Sequence, residues 1–146
     1  MAGNGLINTL LLANCAEATS SLRRALNSTT NLWVSTTTDY ALDVLNDSSI
    51  ELIISTQEFA SSRALNFFEQ IMPEFPDPVR IMITEKEGLD SVIEAINKGR
   101  IYKYILRPWT EEQIITVVQE AADLYNLRTD LDKRVSQFND QLIQAE

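Results

Sequence analysis

The chain has 146 residues, of which 45% are hydrophobic and 23% are charged, and this length suits one domain with a proper core. Its formal net charge is -9, and its 12 Lys and Arg residues never cluster, which argues against a surface for nucleic-acid phosphates. With one cysteine and no histidine, the chain cannot form an internal disulfide, a Ser-His-Asp triad or a Cys-His pair by itself.

The first apolar run, 6–13, resembles the hydrophobic part of a signal peptide, but no basic residues precede it. We therefore expect it to form a buried first strand. No run approaches the roughly 18 apolar residues that a membrane-spanning helix needs. The sequence predicts a cytoplasmic protein without membrane contact.

Apolar and β-branched runs alternate with amphipathic runs along the chain. The five predicted strands are 6–13, 31–38, 50–56, 79–84 and 101–106. The predicted helices are 17–28, 39–48, 61–75, 88–99 and a last helix after Pro108, with Thr110 as its N-cap. In the fourth helix, Val92, Ile93 and Ile96 are predicted to face inward. This alternation indicates an α/β fold with a parallel sheet covered on both faces, whose sites lie at the carboxyl ends of the strands.

Beyond about Leu124 the sequence continues as a helix without turn residues, so we divide the chain into a domain, 1–125, and a helical extension, 126–146. Apolar residues follow each other in steps of three or four along this helix, with one stutter in the heptad pattern: Leu124, Leu127, Leu131, Val135, Phe138 and Leu142. A helix so far past the last strand cannot bury this stripe on its own sheet. The pattern favours a coiled coil with a partner helix over a frayed helix or a truncated linker.

The segment RIMITEKEGLDSVIEAINKGRIYKYILRPWTEEQI, 80–114, closely resembles the C-terminal half of response-regulator receiver domains. SLRRAL, 21–26, and IELIISTQEF, 50–59, fit the first helix and third strand of that family at the expected distances. The resemblance covers about residues 6–125. It implies a flavodoxin-like (βα)5 doubly wound parallel sheet with strand order 2-1-3-4-5.

The resemblance also implies a site, and this sequence departs from the family's pattern there. Receiver domains end their first strand on two acidic residues that hold a metal, and their third strand on an aspartate that accepts a phosphoryl group. A hydroxyl ends the fourth strand, and the fifth carries an aromatic residue before a final Lys-Pro. In this chain, the corresponding residues are Ala13, Asn14, Thr56, Thr84, Tyr104 and Arg107.

These replacements remove the nucleophile and the metal ligands together. An aspartate is ionised at pH 7, whereas the Thr56 hydroxyl is neutral and the chain has no histidine to deprotonate it. Mg²⁺ prefers oxygen ligands that include at least one or two carboxylates. We therefore expect a degenerate phosphoacceptor site with no catalytic residue, no metal and no cofactor, and a protein that is not an enzyme.

Three charged residues near this rim could still bind a metal or form an ion pair there. Glu17 or Glu58 could turn inward to bind a metal, although both suit a solvated first helical turn or rim better. Arg107 carries a fixed positive charge, and we leave open whether it pairs with Glu85 or Glu58 or points into solvent.

The favoured function is a phosphorylation-independent receiver-like module that regulates an attached output domain in a two-component-type protein. Its partner is predicted to be another protein or a second copy, which docks on the fourth helix, fifth strand and fifth helix and on the C-terminal stripe. The docking residues proposed for the domain are Ile93, Ile96, Tyr102, Tyr104, Trp109 and Ile115.

Two other functions stay open. A flavodoxin-like domain could bind a small molecule at the Asn14/Thr56/Thr84 rim, although no glycine directly follows a predicted strand to cradle a phosphate. A separate kinase could phosphorylate Ser55, Thr56 or Ser61, although no basic motif flanks them.

Overall fold

The computed structural model of the chain describes residues 6–14, 20–56, 58–59, 62–85, 89–98 and 101–145. For 58–59, 62–63 and 138–145 it describes the backbone alone. Cys15, Glu17 and Ser61 lie outside the described residues, as does the side chain of Glu58.

Five parallel strands form one sheet in the order β2-β1-β3-β6-β7. These strands are β1 (Ile7–Leu12), β2 (Thr30–Ser35), β3 (Leu52–Thr56), β6 (Val79–Thr84) and β7 (Lys103–Leu106). Counted among themselves in chain order, they give 2-1-3-4-5, so the predicted flavodoxin-like order is confirmed. From β1 the chain order runs to β2 on one side, and from β3 through β6 to β7 on the other, which places the reversal of strand order between β1 and β3.

Five helices connect and cover the strands: α1 (Ser20–Asn27), α2 (Thr38–Asp47), α3 (Ala64–Ile71), α4 (Leu89–Asn97) and α5 (Glu111–Ala145). The third helix is shorter than predicted at both ends. Its expected first residues instead belong to a small antiparallel ribbon, in which β4 (Glu58–Phe59) pairs with β5 (Ser62–Arg63). A strand of two residues is too short to show a period of two, so the sequence pattern could not reveal it.

The sheet separates two hydrophobic clusters, because successive side chains of a strand point to opposite faces. Leu10, Ile53 and Met82 pack with α2, α3 and α4 on one face. Leu11, Ile54 and Ile81 pack with α1 and α5 on the other face. All six side chains are fully buried.

Helix α4 corrects one detail of the sequence prediction. Val92 and Ala95 are its buried residues, while Ile96 is half-buried and Ile93 is 40% exposed. At about 100° per residue, Ile93 is turned away from Val92 by roughly a quarter of a turn, and in α4 this turn carries it out of the contact with the sheet. Ile93 therefore belongs to the surface, and its predicted inward orientation is wrong.

Thr110 is the N-cap of α5, as predicted. Its Oγ1 accepts a hydrogen bond from the Gln113 N–H at 3.1 Å, and the Gln113 Oε1 accepts one from the Thr110 N–H at 2.8 Å. This reciprocal capping box satisfies two backbone donors at the start of the helix.

Replacing Thr110 by alanine is expected to lower the free energy of unfolding by about 1 kcal/mol, the usual cost of losing an N-cap side chain. Urea unfolding followed by circular dichroism measures the change. Thr116→Ala, at an exposed position in the second turn of α5, is the matched control and is expected to leave stability unchanged or slightly higher, because alanine favours helix. Equal losses in the two variants would contradict the capping role.

Helix α5 runs well past the sheet. Ile114, Val118 and Ala121 are buried against the domain, whereas further along Leu127 is 56%, Leu131 50% and Val135 58% exposed. The predicted apolar stripe is therefore largely uncovered at these three positions, whereas Leu124 at its start is half-buried against the domain. Phe138 and Leu142 also belong to α5, but their side chains lie outside the described residues.

Candidate functional site

The strand register brings the predicted rim residues to one edge of the sheet. Leu12 is level with Ser35 on one side and with Ser55 on the other. The Ala13 N–H continues this pairing and donates to the Ser35 carbonyl at 3.1 Å. Ala13 and Asn14 thus follow β1 at the same level at which Thr56 ends β3.

The other half of the rim is built in the same way. Thr56 is level with Ile83, one residue before Thr84 ends β6, and Thr84 is level with Leu106. The Arg107 N–H then donates to the Thr84 carbonyl at 3.0 Å. The five positions taken from the family's pattern therefore lie along one carboxyl edge.

Two buried hydroxyl groups at this edge donate hydrogen bonds to the backbone carbonyl of the next residue. Ser55 Oγ donates to the Thr56 carbonyl at 2.8 Å, and Thr84 Oγ1 donates to the Glu85 carbonyl at 3.0 Å. Both side chains are fully buried, whereas Thr56 is half-buried and Asn14 exposed. A kinase therefore cannot reach the Ser55 hydroxyl in this conformation, and Thr56 is the more accessible of the two.

Arg107 lies at the end of the rim, before a cis peptide bond to Pro108. Its Nε is 3.9 Å from Oε1 of Glu85, with side chains that are 40% and 63% exposed. A pair this long and this exposed contributes at most about 1 kcal/mol and is weakened by salt. Arg107 is thus a surface cation loosely paired with Glu85.

The positions that correspond to the family's acidic residues hold a buried methyl group at Ala13, an amide at Asn14 and a hydroxyl at Thr56. Across the part of the chain that the structure describes, no three His, Cys, Asp or Glu side chains come together as metal ligands would. The amide and hydroxyl oxygens can accept hydrogen bonds, but neither carries the charge that offsets the dehydration of Mg²⁺.

The aromatic residues near β7 are partly buried against the core. Tyr104 packs against the cluster of α2, α3 and α4, and Trp109 packs against the cluster of α1 and α5. Leu124 is likewise half-buried against the second cluster, and Ile115 is half-buried. These residues can offer a partner only part of their surface.

Tyr102 and Leu106, by contrast, are exposed large hydrophobic residues on this face. Leu106 was missing from the predicted docking residues. The alternation of a strand already puts it on the same side as Tyr104 and Tyr102, so the sequence did contain this signal.

An open groove of about 590 Å³ separates β7 from α5. Its lining includes Leu106 from β7 and Gln113, Thr116 and Val117 from α5. Lys103 and Glu120 face each other there, with Nζ and Oε2 2.9 Å apart. The hydrogen bond to Glu120 raises the pKa of Lys103 against a smaller opposing effect of burial. The ion pair was not predicted, because its members come from elements whose spacing only the folded chain defines.

The single parallel sheet, its strand order and its helices on both faces are those of response-regulator receiver domains, and the chain has that fold. A signal receiver domain of an HD domain-containing protein from Pseudomonas fluorescens Pf-5 superposes with a TM-score of 0.76 at 21% identity, over 86% of this chain and 93% of that one. A structure described as adenylate cyclase from Rhodopirellula baltica gives a TM-score of 0.81 at 18% identity, over 90% and 98%. At these identities the likeness concerns the fold alone.

Two curated relatives carry the same name, hydrogenase transcriptional regulatory protein HoxA. The protein from Bradyrhizobium diazoefficiens is 30% identical over 101 residues, which are 69% of this chain and 21% of that protein. The protein from Cupriavidus necator is 24% identical over 124 residues, which are 85% and 26%. The chain thus spans about a fifth to a quarter of these relatives. No protein-family profile matches it.

Among the described residues, no helix combines the length and the apolar character needed to cross a membrane.

Proposed function

We propose that the chain is a receiver-type signalling module of a two-component-type regulator and works without accepting a phosphoryl group. It acts by binding a protein partner or a second copy of itself, and through that contact it regulates an attached output domain. The receiver fold and the similarity to part of two transcriptional regulators named HoxA support the general role.

One observation supports the finer proposal: Ala13, Asn14, Thr56, Thr84 and Arg107 lie along one carboxyl edge of the sheet, and none of them is a carboxylate. An acyl phosphate cannot form on Thr56. A phosphate ester on its hydroxyl would need a base, which neither a histidine nor one of these five residues provides.

A module without phosphoryl chemistry needs another ligand to shift its conformation or its association. A ligand shifts an equilibrium only through different affinities for the two states. A protein partner meets this requirement when it binds the exposed apolar surface of α4, β7 and α5. Ile93, Tyr102 and Leu106 form that surface on the domain, and the stripe of α5 extends it.

Incubation with acetyl phosphate and Mg²⁺ is expected to leave the intact mass of the protein unchanged, because the nucleophile and the metal ligands are both missing. Intact-mass spectrometry measures the outcome. A receiver domain that retains all its site carboxylates, treated in the same tube, is the positive control. The gain of one phosphoryl group by this chain would overturn the proposal.

A further inference from the structure

Strand β2 forms one edge of the sheet and directs half of its backbone groups outward. The Ala13 N–H donates to the Ser35 carbonyl, and in a parallel pair the bonded residues of a strand alternate with residues that face the other side. Trp33, two residues before Ser35, therefore also directs its N–H and C=O groups toward β1, whereas Leu32 and Val34 direct theirs away from it. Among the described residues, no strand lies beyond β2, and neither Leu32 nor Val34 has a hydrogen-bond partner on the outer side.

This edge lacks the features by which edge strands usually avoid pairing with other strands. Protected edges are short, are bulged, or carry a proline or a lysine. Strand β2 has six residues and pairs one to one with β1, and residues 25–38 include neither a proline nor a charged residue. The opposite edge strand, β7, has four residues and carries Lys103. The edge at β2 is therefore open to a further strand in a way that the edge at β7 is not.

The strand is complementary to itself in an antiparallel register centred on Leu32. In that register Leu32 lies opposite Leu32 of a second copy, and Thr30 lies opposite Val34. These residues direct their backbone outward, so each opposing pair exchanges two hydrogen bonds, about six in all. Between these pairs, Asn31 lies opposite Trp33. No charged side chain meets a like charge across the two strands, which would oppose pairing.

The charge of the chain favours a second copy as the occupant of this edge. At a net charge of -9, two copies repel each other, and the uncharged stretch 25–38 is a place where their strands can approach. Leu32 and Val34 are half-buried against the cluster of α1 and α5, and Trp33 is half-buried against the cluster of α2, α3 and α4. Part of each side chain is thus left for a neighbour. A foreign strand would find no charge on β2 that could select it.

We propose that β2 of one chain pairs antiparallel with β2 of a second chain across a two-fold axis, so that two five-stranded sheets join into one continuous sheet. One strand from each copy is much less than the roughly 800 Å² per partner of a stable interface, so we expect a dissociation constant of about 0.1–1 mM. This contact lies apart from the surface of α4, β7 and α5 and does not depend on the proposed function.

Hydrogen exchange of the wild-type chain tests the contact without any substitution. Between about 20 µM and about 1 mM protein, the Leu32 and Val34 amides are expected to slow about two- to fourfold, because they then donate to the second copy. The Trp33 and Ser35 amides, which donate to β1, are expected to exchange equally at both concentrations. Exchange is followed residue by residue by NMR. Leu32 and Val34 amides whose exchange does not depend on concentration would overturn the proposal, whether they are open or already covered.

Charge exchange at Leu32 tests the register. In a Leu127→Asp, Leu131→Asp background, which removes the stripe of α5 as a second contact, Leu32→Lys alone and Leu32→Glu alone are each expected to weaken the β2 contact about tenfold, because each places like charges opposite each other. An equal mixture is expected to recover the association, because residue 32 of one copy then faces the opposite charge. Gln119→Lys, at an exposed position of α5, is the control and is expected to associate like the background.

Sedimentation equilibrium measures the association in each case, and circular dichroism checks that the variants keep the wild-type fold. A mixture that associates no more strongly than the separate variants would show that Leu32 does not face itself and would overturn the proposed register. Either result leaves the proposed function intact, because the mass measurement with acetyl phosphate and the stripe of α5 are tested separately.

Discussion

Replacing both Leu127 and Leu131 by aspartate is expected to weaken self-association at least a hundredfold and to leave the chain monomeric at micromolar concentration. These side chains are about half exposed in the single chain, and a partner helix would bury them. Burying a leucine contributes roughly 1.5–3 kcal/mol, and the double variant removes four leucines from a dimer while adding four repelling charges. Light scattering across a concentration series measures the change.

The matched control replaces Asn126 and Ser136, which are both exposed, by aspartate. It adds the same charge to the same stretch of α5, but away from the stripe, and is expected to remain dimeric. Since neither variant touches the buried core, both are expected to keep the circular dichroism spectrum of the wild type. A Leu127→Asp, Leu131→Asp variant that stays dimeric would show that the stripe does not hold the copies together.

Introducing carboxylates at the rim is expected to create a Mg²⁺ site. The variant Asn14→Asp with Thr56→Asp places two carboxylates at the ends of β1 and β3, which lie side by side in the sheet. Mg²⁺ is commonly held by one or two carboxylates together with waters. We expect millimolar or tighter binding by isothermal titration calorimetry, and no binding heat from the wild type under the same conditions.

The control for this experiment is Asn46→Asp with Ser49→Asp, which adds the same charge at the opposite edge of the sheet. Both residues are exposed there, before β3 begins. We expect this control to behave like the wild type, because diffuse negative charge does not supply a coordination geometry. Wild-type binding as tight as that of the rim variant would show that other ligands, such as Glu17 or Glu58, already complete a metal site.

The sequence and the structure agree where the signal is periodic. The apolar runs of the five main strands predicted the sheet, because parallel strands buried on both faces read as continuous hydrophobic segments. The ribbon of β4 and β5 was missed since two-residue strands carry no period. The placement of Ile93 was wrong because a helix buries only part of its apolar residues, and neighbouring elements decide which part.

By itself, the sequence determined what the rim can do chemically. The strand ends could be located from the apolar runs and the resemblance, and the side chains Ala13, Asn14 and Thr56 supply no carboxylate in any conformation. The uninterrupted helical spacing beyond Leu124 likewise predicts an apolar stripe from the sequence alone.

Only the tertiary structure decided which surfaces remain available. It buries Ser55 and Thr84, packs Tyr104 and Trp109 partly into the core, and leaves Leu106 exposed. The physical reason is that exposure depends on which elements pack across each side chain, whereas the charge and reactivity of a side chain come largely with its identity.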